Sequence, residues 1–337
     1  MNTKRILITG ASGFIGSFLV EKALEKGFDT WAGIRKSSSR EYLQDSRIQF
    51  IDLNFANKEK LTEQLKEFVT EYGKFDYIVH NAGLTKCLNP DDFDKVNFQF
   101  TANFVDSLKE ANAVPEKFIL MSSLSSFGQG DEINYTPIKI TDIPNPNTAY
   151  GKSKLKAEQY LQSQLDFPYI ILRPTGVYGP KEKDYYLMLK TVKSGLDVGA
   201  RFKPQHLTFI YVRDLVDAVF LGLESEVKNR HYFVADGDVH TDKEYTRLVK
   251  EVLGKKFVIS LKVPLWLLKG ISVIAEDISK ITKKPSTLNR DKYKIMKQRN
   301  WECDITPLVN DLHFSPKYNL KKGLEESVKW YKENGWL

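Results

Sequence analysis

Cysteine is nearly missing from this chain: there are two in 337 residues, Cys87 and Cys303, and neither sits in a metal-ligand spacing. That removes a disulfide scaffold and a structural zinc site, and leaves free thiols in a reducing compartment as the reading. No apolar run approaches the roughly 20 residues that a bilayer span requires. Charge does not gather into an arm either, because 50 basic and 43 acidic residues are spread along the chain to a net +7. Nucleic acid is therefore not expected as a partner, whereas an anionic cofactor or substrate is compatible. Met1 is followed at once by a strand-like segment with no room for a signal peptide, so a cytoplasmic location is the expectation. Repeats and low-complexity linkers are missing too. What remains, 42% hydrophobic and 28% charged residues, is the make-up of a soluble globular chain, enough for one large domain with a lobe or for two domains.

What is present begins at Arg5-Ile-Leu-Ile-Thr-Gly10-Ala-Ser-Gly13-Phe-Ile-Gly16. An apolar run of strand length stops at Gly10, and after Gly16 a helical pattern (Phe18, Leu19, Ala23, Leu24) runs to Lys26-Gly27. A side chain at Gly10 or Gly13 would hold the backbone away from a phosphate, and Gly16 lets the helix lie close on the strand. The helix start, from Ser12 through Phe14 and Ile15 to Gly16, then offers N–H groups and a positive dipole end to a pyrophosphate. A ligand-free glycine turn is the plainer alternative. The spacing G-x-x-G-x-x-G resembles the short-chain dehydrogenase/reductase superfamily, and Thr9 to Gly16 is similar to its extended branch, the epimerase/dehydratase group.

The segment Phe28 to Ile34 reads as a second strand, ending in Arg35-Lys36-Ser37-Ser38. In a dinucleotide fold the residue about twenty positions past the glycines meets the adenosine ribose, where an acid selects a free 2′-hydroxyl. Arg35 and Lys36 instead suit a 2′-phosphate, which a carboxylate repels. NADP is expected over NAD on this ground, with a solvated basic turn as the alternative. Strands over 48–51 and 75–79 and a helix over 58–72 follow. The resemblance implies that Asp52, followed by Leu53, faces the adenine amino group, and that Asn81, Ala82 and Gly83 let the chain pass close to the adenosine half of the cofactor. His80 is read as a satisfied structural histidine. Asp91 to Ala111 reads as one long helix with Phe93, Val96, Phe100, Phe104, Val105 and Leu108 on its core face. Part of that stripe, by resemblance, packs against a second subunit in a homodimer.

Lys117 to Met121 reads as a fifth strand, followed by Ser122-Ser-Leu-Ser-Ser-Phe-Gly128 at its carboxyl end, where open parallel sheets keep their ligand crevice. An ordinary polar turn is the other reading of this loop. After Pro144-Asn-Pro146, which fixes a helix start, come Tyr150 and Lys154. Four residues apart, they lie one above the other on one helix face. A tyrosine of pKa about 10 needs nearby positive charge to act as a base near neutrality, and Lys154 supplies it. The resemblance places the substrate's hydroxyl partner at Ser123, with Ser122 and Ser125 as close rivals. A sixth strand then leads into Arg173-Pro174-Thr-Gly-Val177-Tyr178-Gly179-Pro180, similar to the family segment that passes beside the nicotinamide, which implicates Pro174 and Val177.

Departures from the family pattern are also visible. The Gly-Asp-Gly and Gln-x-Arg-Asp of nucleotide-sugar members are replaced by Ala200-Arg-Phe-Lys-Pro-Gln-His206, where Arg201, Lys203 and His206 are read either as contacts to an anion or as surface charge. The acidic pair of dehydratases is replaced by Leu124 and Ser125, which argues against 4,6-dehydration. Residues 261–275 are strongly apolar, and buried lobe packing is the first reading, with a greasy substrate wall or a membrane-surface contact through 263–275 as the sharper one. The tail, with Trp301-Glu-Cys-Asp304, Leu312-His-Phe-Ser-Pro316 and the stretch Leu320 to Tyr331, resembles the C-terminal lobe of steroid-dehydrogenase-like and epimerase members.

The expected fold is α/β: a doubly wound parallel sheet of the Rossmann type (1–175 plus 207–233) with a smaller C-terminal α/β substrate lobe (176–206 plus 234–337). The expected activity is reversible hydride transfer between a nicotinamide and a secondary alcohol or carbonyl of a small molecule. Within it an NADP-dependent reductase or dehydrogenase of a ketone, aldehyde or sterol-like substrate stands first and a nucleotide-sugar epimerase with bound NAD second. A cofactor sensor without chemistry comes last, since such relatives tend to lose the Tyr-x-x-x-Lys pair.

Overall fold

Apolar runs flanked by glycine turns become the strands of a main sheet in the computed structural model, which describes residues 3–199, 203–283, 286 and 288–337. The first half of the chain alternates β1 (Arg5–Thr9), α1 (Phe14–Glu25), β2 (Asp29–Gly33), β3 (Gln49–Ile51), α2 (Lys58–Tyr72) and β4 (Tyr77–His80). It continues through α3 (Asp91–Phe93), α4 (Phe100–Glu110), β5 (Lys117–Met121), α5 (Ala149–Gln162) and β6 (Tyr169–Pro174). The lobe and the return segments supply β7 (Gly176–Tyr178), α6 (Lys183–Lys193), β8 (Leu196–Gly199), β9 (His206–Leu207), β10 (Phe209–Tyr211), α7 (Val212–Glu224) and β11 (Arg230–Val234). The tail adds β12 (His240–Thr241), α8 (Asp242–Val252), β13 (Ile259–Lys262), α9 (Leu265–Thr282), α10 (Arg290–Lys297), α11 (Thr306–Leu312) and α12 (Leu320–Glu333).

The main sheet has seven parallel strands in the order β11-β6-β5-β4-β1-β2-β3. Reversal of direction at β1/β4 opens a crevice at the carboxyl ends, which is where doubly wound sheets bind ligands. Because helices cover both faces, the central strands are buried on both sides and read as unbroken apolar runs. One core lies between the sheet and α1, α7 and α11, including Ile6, Ile8, Leu19, Val219 and Leu308. The other lies under α2, α4 and α5, including Leu7, Leu65, Phe104, Phe118 and Leu161.

The stretch Asp91 to Ala111 is not one continuous α-helix. Between α3 and α4 the residues Asp94–Gln99 form a π-helical turn. The extra residue per turn brings Asn97 to the inside, where its Nδ2 donates to the Leu84 carbonyl (3.1 Å) and to Ser153 Oγ (3.0 Å) and its Oδ1 accepts from Leu84 N (2.8 Å). Such turns are single insertions in a helix, tolerated where a side chain gains partners.

The lobe is organised around aromatic packing. Tyr178, Phe209, Tyr211, Tyr245 and Tyr331 form its core with Leu324 and Val328. Gly323 of α12 is required there, since a Cβ would stand 2.2 Å from the Tyr178 hydroxyl. Asp214 of α7 accepts from the N–H groups of Lys317 and Tyr318 (3.0–3.1 Å), pinning the start of the last segment to the first domain.

Candidate active site

The glycine turn joins β1 to α1 as the spacing predicts, but its three glycines answer to different demands. Gly10 has φ +66°, and a Cβ on it would lie 2.9 Å from the Ala82 backbone at the end of β4. Gly16 has Gly10 O 2.2 Å from the same position, so α1 rests directly on the turn. Both are thus demanded by packing inside the chain, a demand on Gly10 that stands apart from the expected approach of a phosphate. Gly13 is exposed, and its nearest neighbour would be only 3.3 Å away, the Gly10 carbonyl. Nothing internal forbids more than a small adjustment there. The glycine at the mouth of the helix, with the half-buried Ser12, Phe14 and Ile15 around it, is the feature that fits an approaching anion.

Close passage of β4 past Gly10 is held by a buried histidine. The Thr9 hydroxyl accepts from Ala82 N (3.1 Å) and pairs with His80 Nδ1 (2.9 Å), while His80 Nε2 meets Thr101 Oγ1 (3.1 Å). Thr101 already donates to the Asn97 carbonyl (2.8 Å), so it accepts from Nε2–H, and Thr9 donates to a bare Nδ1. Burial, with the Lys154 charge, pushes the His80 pKa down to about 3, which keeps this tautomer neutral. Its role is structural.

At the adenosine end, Arg35 and Lys36 are exposed at the carboxyl end of β2. Asp52 is exposed beside them, and one of its carboxylate oxygens accepts from Lys36 N (3.0 Å), so it braces the basic turn. Asn81 and Ala82 are half-buried and Gly83 is exposed along the same crevice. Leu53, next to Asp52, puts its side chain into the core beneath the sheet, with Leu7, Trp31 and Leu61. Pro174 likewise is buried in the strand pairing of β6 with β11, whereas Val177 is half-buried.

Tyr150, Ser123 and Lys154 come together at the carboxyl end of β5. Thr148 caps α5, its hydroxyl accepting from Gly151 N (3.0 Å). A Cβ on Gly151 would be 2.2 Å from the Ser125 carbonyl, so the serine loop sits directly on the first turn of the helix that carries Tyr150. Ser123 caps the short 3₁₀ turn Leu124–Ser126 and is half-buried. Of its rivals, Ser122 is buried with its hydroxyl donating to Glu158 Oε1, which removes it from the cleft. Burial raises the Tyr150 pKa, and a hydrogen bond with the Ser123 side chain works against that rise. Lys154 donates from Nζ to the Met121 carbonyl (2.8 Å), and burial pushes its pKa down to about 8 against the opposing pull of Glu158. Gly83 leaves room for it, since a Cβ there would stand 2.9 Å from Asn97 Oδ1 and 3.2 Å from Lys154 Nζ. The arrangement can hold a neutral phenol against a polar oxygen and recharge it from a lysine.

Several contributors escape a reading of motifs. Glu158 and Arg173 form a buried pair (Nη2–Oε2 2.7 Å, Nε–Oε2 2.9 Å) beneath the serine loop, with the guanidinium over the Phe127 ring at 4.6 Å. Asn97 is foreshadowed only as a polar residue inside an apolar stripe. Across the cleft, Lys86 after β4 pairs with Asp184 of α6, and Lys292 of α10 stands 3.8 Å from the same carboxylate. Asp291 of α10 accepts from Ala149 N (2.7 Å) at the very start of α5, the helix that carries Tyr150. Of the residues replacing the nucleotide-sugar motif, Arg201 lies outside the described residues and Lys203 is exposed. His206 is half-buried, its ring tilted against Tyr135 with centroids 4.2 Å apart and its Nδ1 3.5 Å from the carboxylate of Glu302.

Known proteins resemble this chain along nearly its whole length. The chain is 23% identical to the ceramide reductase of Caulobacter vibrioides, over 98% of this chain and 96% of that one. It is likewise 23% identical to a UDP-glucose 4-epimerase of Vibrio cholerae, over 97% and 95%. A crystal structure of UDP-glucose 4-epimerase from Thermotoga maritima with UDP-glucose superposes with a TM-score of 0.76, covering 98% of this chain and 99% of that one at 22% identity. With the NAD dependent epimerase/dehydratase family model matching residues 6–235, and the glycine turn, serine loop and Tyr-x-x-x-Lys helix all inside that span, the chain belongs to this family of nicotinamide-dependent enzymes.

Proposed function

We infer that the protein reduces or oxidises a secondary alcohol/carbonyl carbon with NADP, and that Tyr150 moves the proton. The carrying observation is the Tyr150–Ser123 hydrogen bond one helical turn from a lysine held near pKa 8. Ser123 and Tyr150 together orient the substrate oxygen, and the neutral phenol is the form that donates a proton to a carbonyl. Lys154 restores the proton and, in the oxidative direction, favours the tyrosinate through its charge. A bound nicotinamide supplies or accepts the hydride. The exposed side chains of Arg35 and Lys36, which form no ion pair among the described residues, support a 2′-phosphate. The substrate class is a ketone, aldehyde or sterol-like alcohol, in keeping with the missing diphosphate motif and with a relative named for ceramide reduction.

A nucleotide-sugar epimerase is the second reading, favoured by the relative of that name, and it uses the same Tyr150 within a closed cycle that keeps NAD bound. Calorimetric titration of cofactor-stripped protein separates the two. Tenfold tighter binding of NADPH than NADH, about 1.4 kcal/mol, is expected and directs the search to carbonyl substrates. Equal or tighter NADH binding overturns the NADP reading and puts the epimerase first. Tyr150→Phe is expected to bind the cofactor normally and lose turnover by about 10²-fold or more; full activity sinks the assignment.

A further inference from the structure

Helix α9 is turned inside out. An amphipathic helix on a soluble surface buries its apolar stripe and shows its polar one. Here the residues facing the protein include Leu268 and the small Ser272 and Ser279, whose hydroxyls bond back to the carbonyls of Lys269 and Glu276. The exposed line is Leu267, Ile271, Ile274, Ile278 and Ile281, spaced four and three apart in turn, with Trp266 beside its start. Trp266 is 74% exposed, Ile274 61% and Ile281 82%. This corrects the first reading of residues 261–275 as buried lobe packing. Just before it in the chain, the β8/β13 ribbon leaves Leu196, Val198, Ile259 and Leu261 exposed, and its register pairs them apolar to apolar across the strands.

Charge is gathered around the same element. Residues 255–297 contain eleven Lys and Arg against three Asp and Glu, a net +8 where the whole chain has +7. All three acids are engaged: Glu276 pairs with Arg290 (2.7 Å), Asp277 with Lys280 (3.4 Å), and Asp291 caps α5. The even spread of charge expected from composition therefore hides a strongly cationic lobe and a nearly neutral remainder.

We propose that α9, with the ribbon preceding it, is a docking face for an anionic lipid bilayer surface, lying in the plane of the headgroups. A cationic rim round an aliphatic face with a tryptophan at one end matches an interfacial helix, which pairs apolar insertion with attraction to acidic lipids. A second copy of the chain fits poorly, because it would set two such cationic rims against each other. Spanning is excluded for this helix: 18 residues rise about 27 Å, short of a hydrocarbon core, and Lys269, Glu276, Asp277 and Lys280 interrupt them. Among the described residues no helix is long and apolar enough to cross a membrane.

The docked face adjoins the cleft. α9 packs on α10, tied to it by Glu276–Arg290, and α10 in turn caps α5 through Asp291 and approaches Asp184 through Lys292. An amphiphile resting in the bilayer thus lies one helix layer from the cleft wall.

The test is flotation of the full chain with vesicles of phosphatidylcholine alone or with about 30 mol% phosphatidylglycerol, at about 100 mM salt. Binding is expected to the acidic vesicles, to weaken as salt rises, and to be slight on phosphatidylcholine alone. Ile274→Asp with Ile278→Asp is expected to lower the partition coefficient about tenfold or more with unchanged thermal unfolding, both side chains being exposed. Lys269→Glu with Lys283→Glu, which leaves the apolar face intact, is expected to do the same through charge. Tyr150→Phe is expected to float like the parent, so the outcome does not depend on the proposed chemistry. The proposal is overturned if the parent stays with the protein fraction, if the Asp variant floats equally, or if the parent is a dimer in solution that the Asp variant disperses.

Discussion

Replacing Lys154 by methionine is expected to make the protein more stable while abolishing its chemistry. The ammonium is buried and its pKa stands at about 8 instead of the ordinary 10.5. A gap of about 2.5, at 1.36 kcal/mol per pH unit, means that below pH 8 the folded state carries a charge at a cost of about 3 kcal/mol. Methionine has similar length and no charge. It forgoes the hydrogen bond from Nζ to the Met121 carbonyl, worth about 1 kcal/mol, so the net gain is about 2 kcal/mol. For a chain of this size that raises Tm by about 3 °C. The pH dependence makes the prediction specific. Since the folded pKa lies below the unfolded one, the folded state binds fewer protons between pH 8 and 10.5. Stability of the parent therefore gains with pH through that window, and its deficit against the variant closes. Melting curves of both proteins from pH 6.5 to 10 read this directly. A variant less stable than the parent at pH 7, or a difference that stays constant up to pH 10, refutes the reasoning that burial sets this lysine's charge.

Other substitutions separate roles that the fold brings close together. Glu158→Gln leaves Arg173 buried without its counter-charge and is expected to cost about 3–5 kcal/mol in urea unfolding; a loss under about 1 kcal/mol means the pair is solvated. Gly13→Ala is expected to melt like the parent yet bind dinucleotide at least about tenfold more weakly. Gly10→Ala is expected to destabilise by about 1–3 kcal/mol before any ligand is added, because its clash is with Ala82. Equal melting of the two glycine variants contradicts the division between internal and external demand. Arg35→Glu is expected to lower NADPH affinity about tenfold or more and leave NADH affinity unchanged by titration.

The sheet was legible because parallel strands covered on both faces are written as apolar runs, Ile6-Leu7-Ile8, Tyr77 to Val79 and Phe118 to Met121, each stopped by a polar residue, Thr9, His80 and Ser122. The placing of Tyr150 beside Lys154 was legible because residues four apart on a helix are neighbours whatever the rest of the fold does. Asn97 was not, since a regular helix puts Val96 and Phe100 on the core line and only the π turn rotates Asn97 inward. The pairing of Glu158 with Arg173 joins a helix to a strand and leaves no local trace. For α9 the sequence carried the right pattern and the wrong inference. A stripe four and three apart marks one face of a helix, but the pattern does not say whether that face meets the protein. Only the small residues opposite, Ser272, Ala275 and Ser279, hint that the close contact is on the other side.

One chain of contacts runs from the glycine turn to the helix that carries Tyr150. Gly10 lies against Ala82; Ala82 N bonds Thr9, Thr9 bonds His80, and His80 bonds Thr101, which donates to the Asn97 carbonyl. Asn97 in turn holds Ser153, whose hydroxyl donates to the Tyr150 carbonyl (2.7 Å). Every polar group along this route is neutral, which matters because Lys154 lies beside it with its proton loosely held. A protonated His80 would add a second positive charge near the lysine and push its pKa lower still, and burial keeps that histidine uncharged. The tuning of Lys154 thus rests on its own burial and on Glu158, while the histidine network supplies position alone.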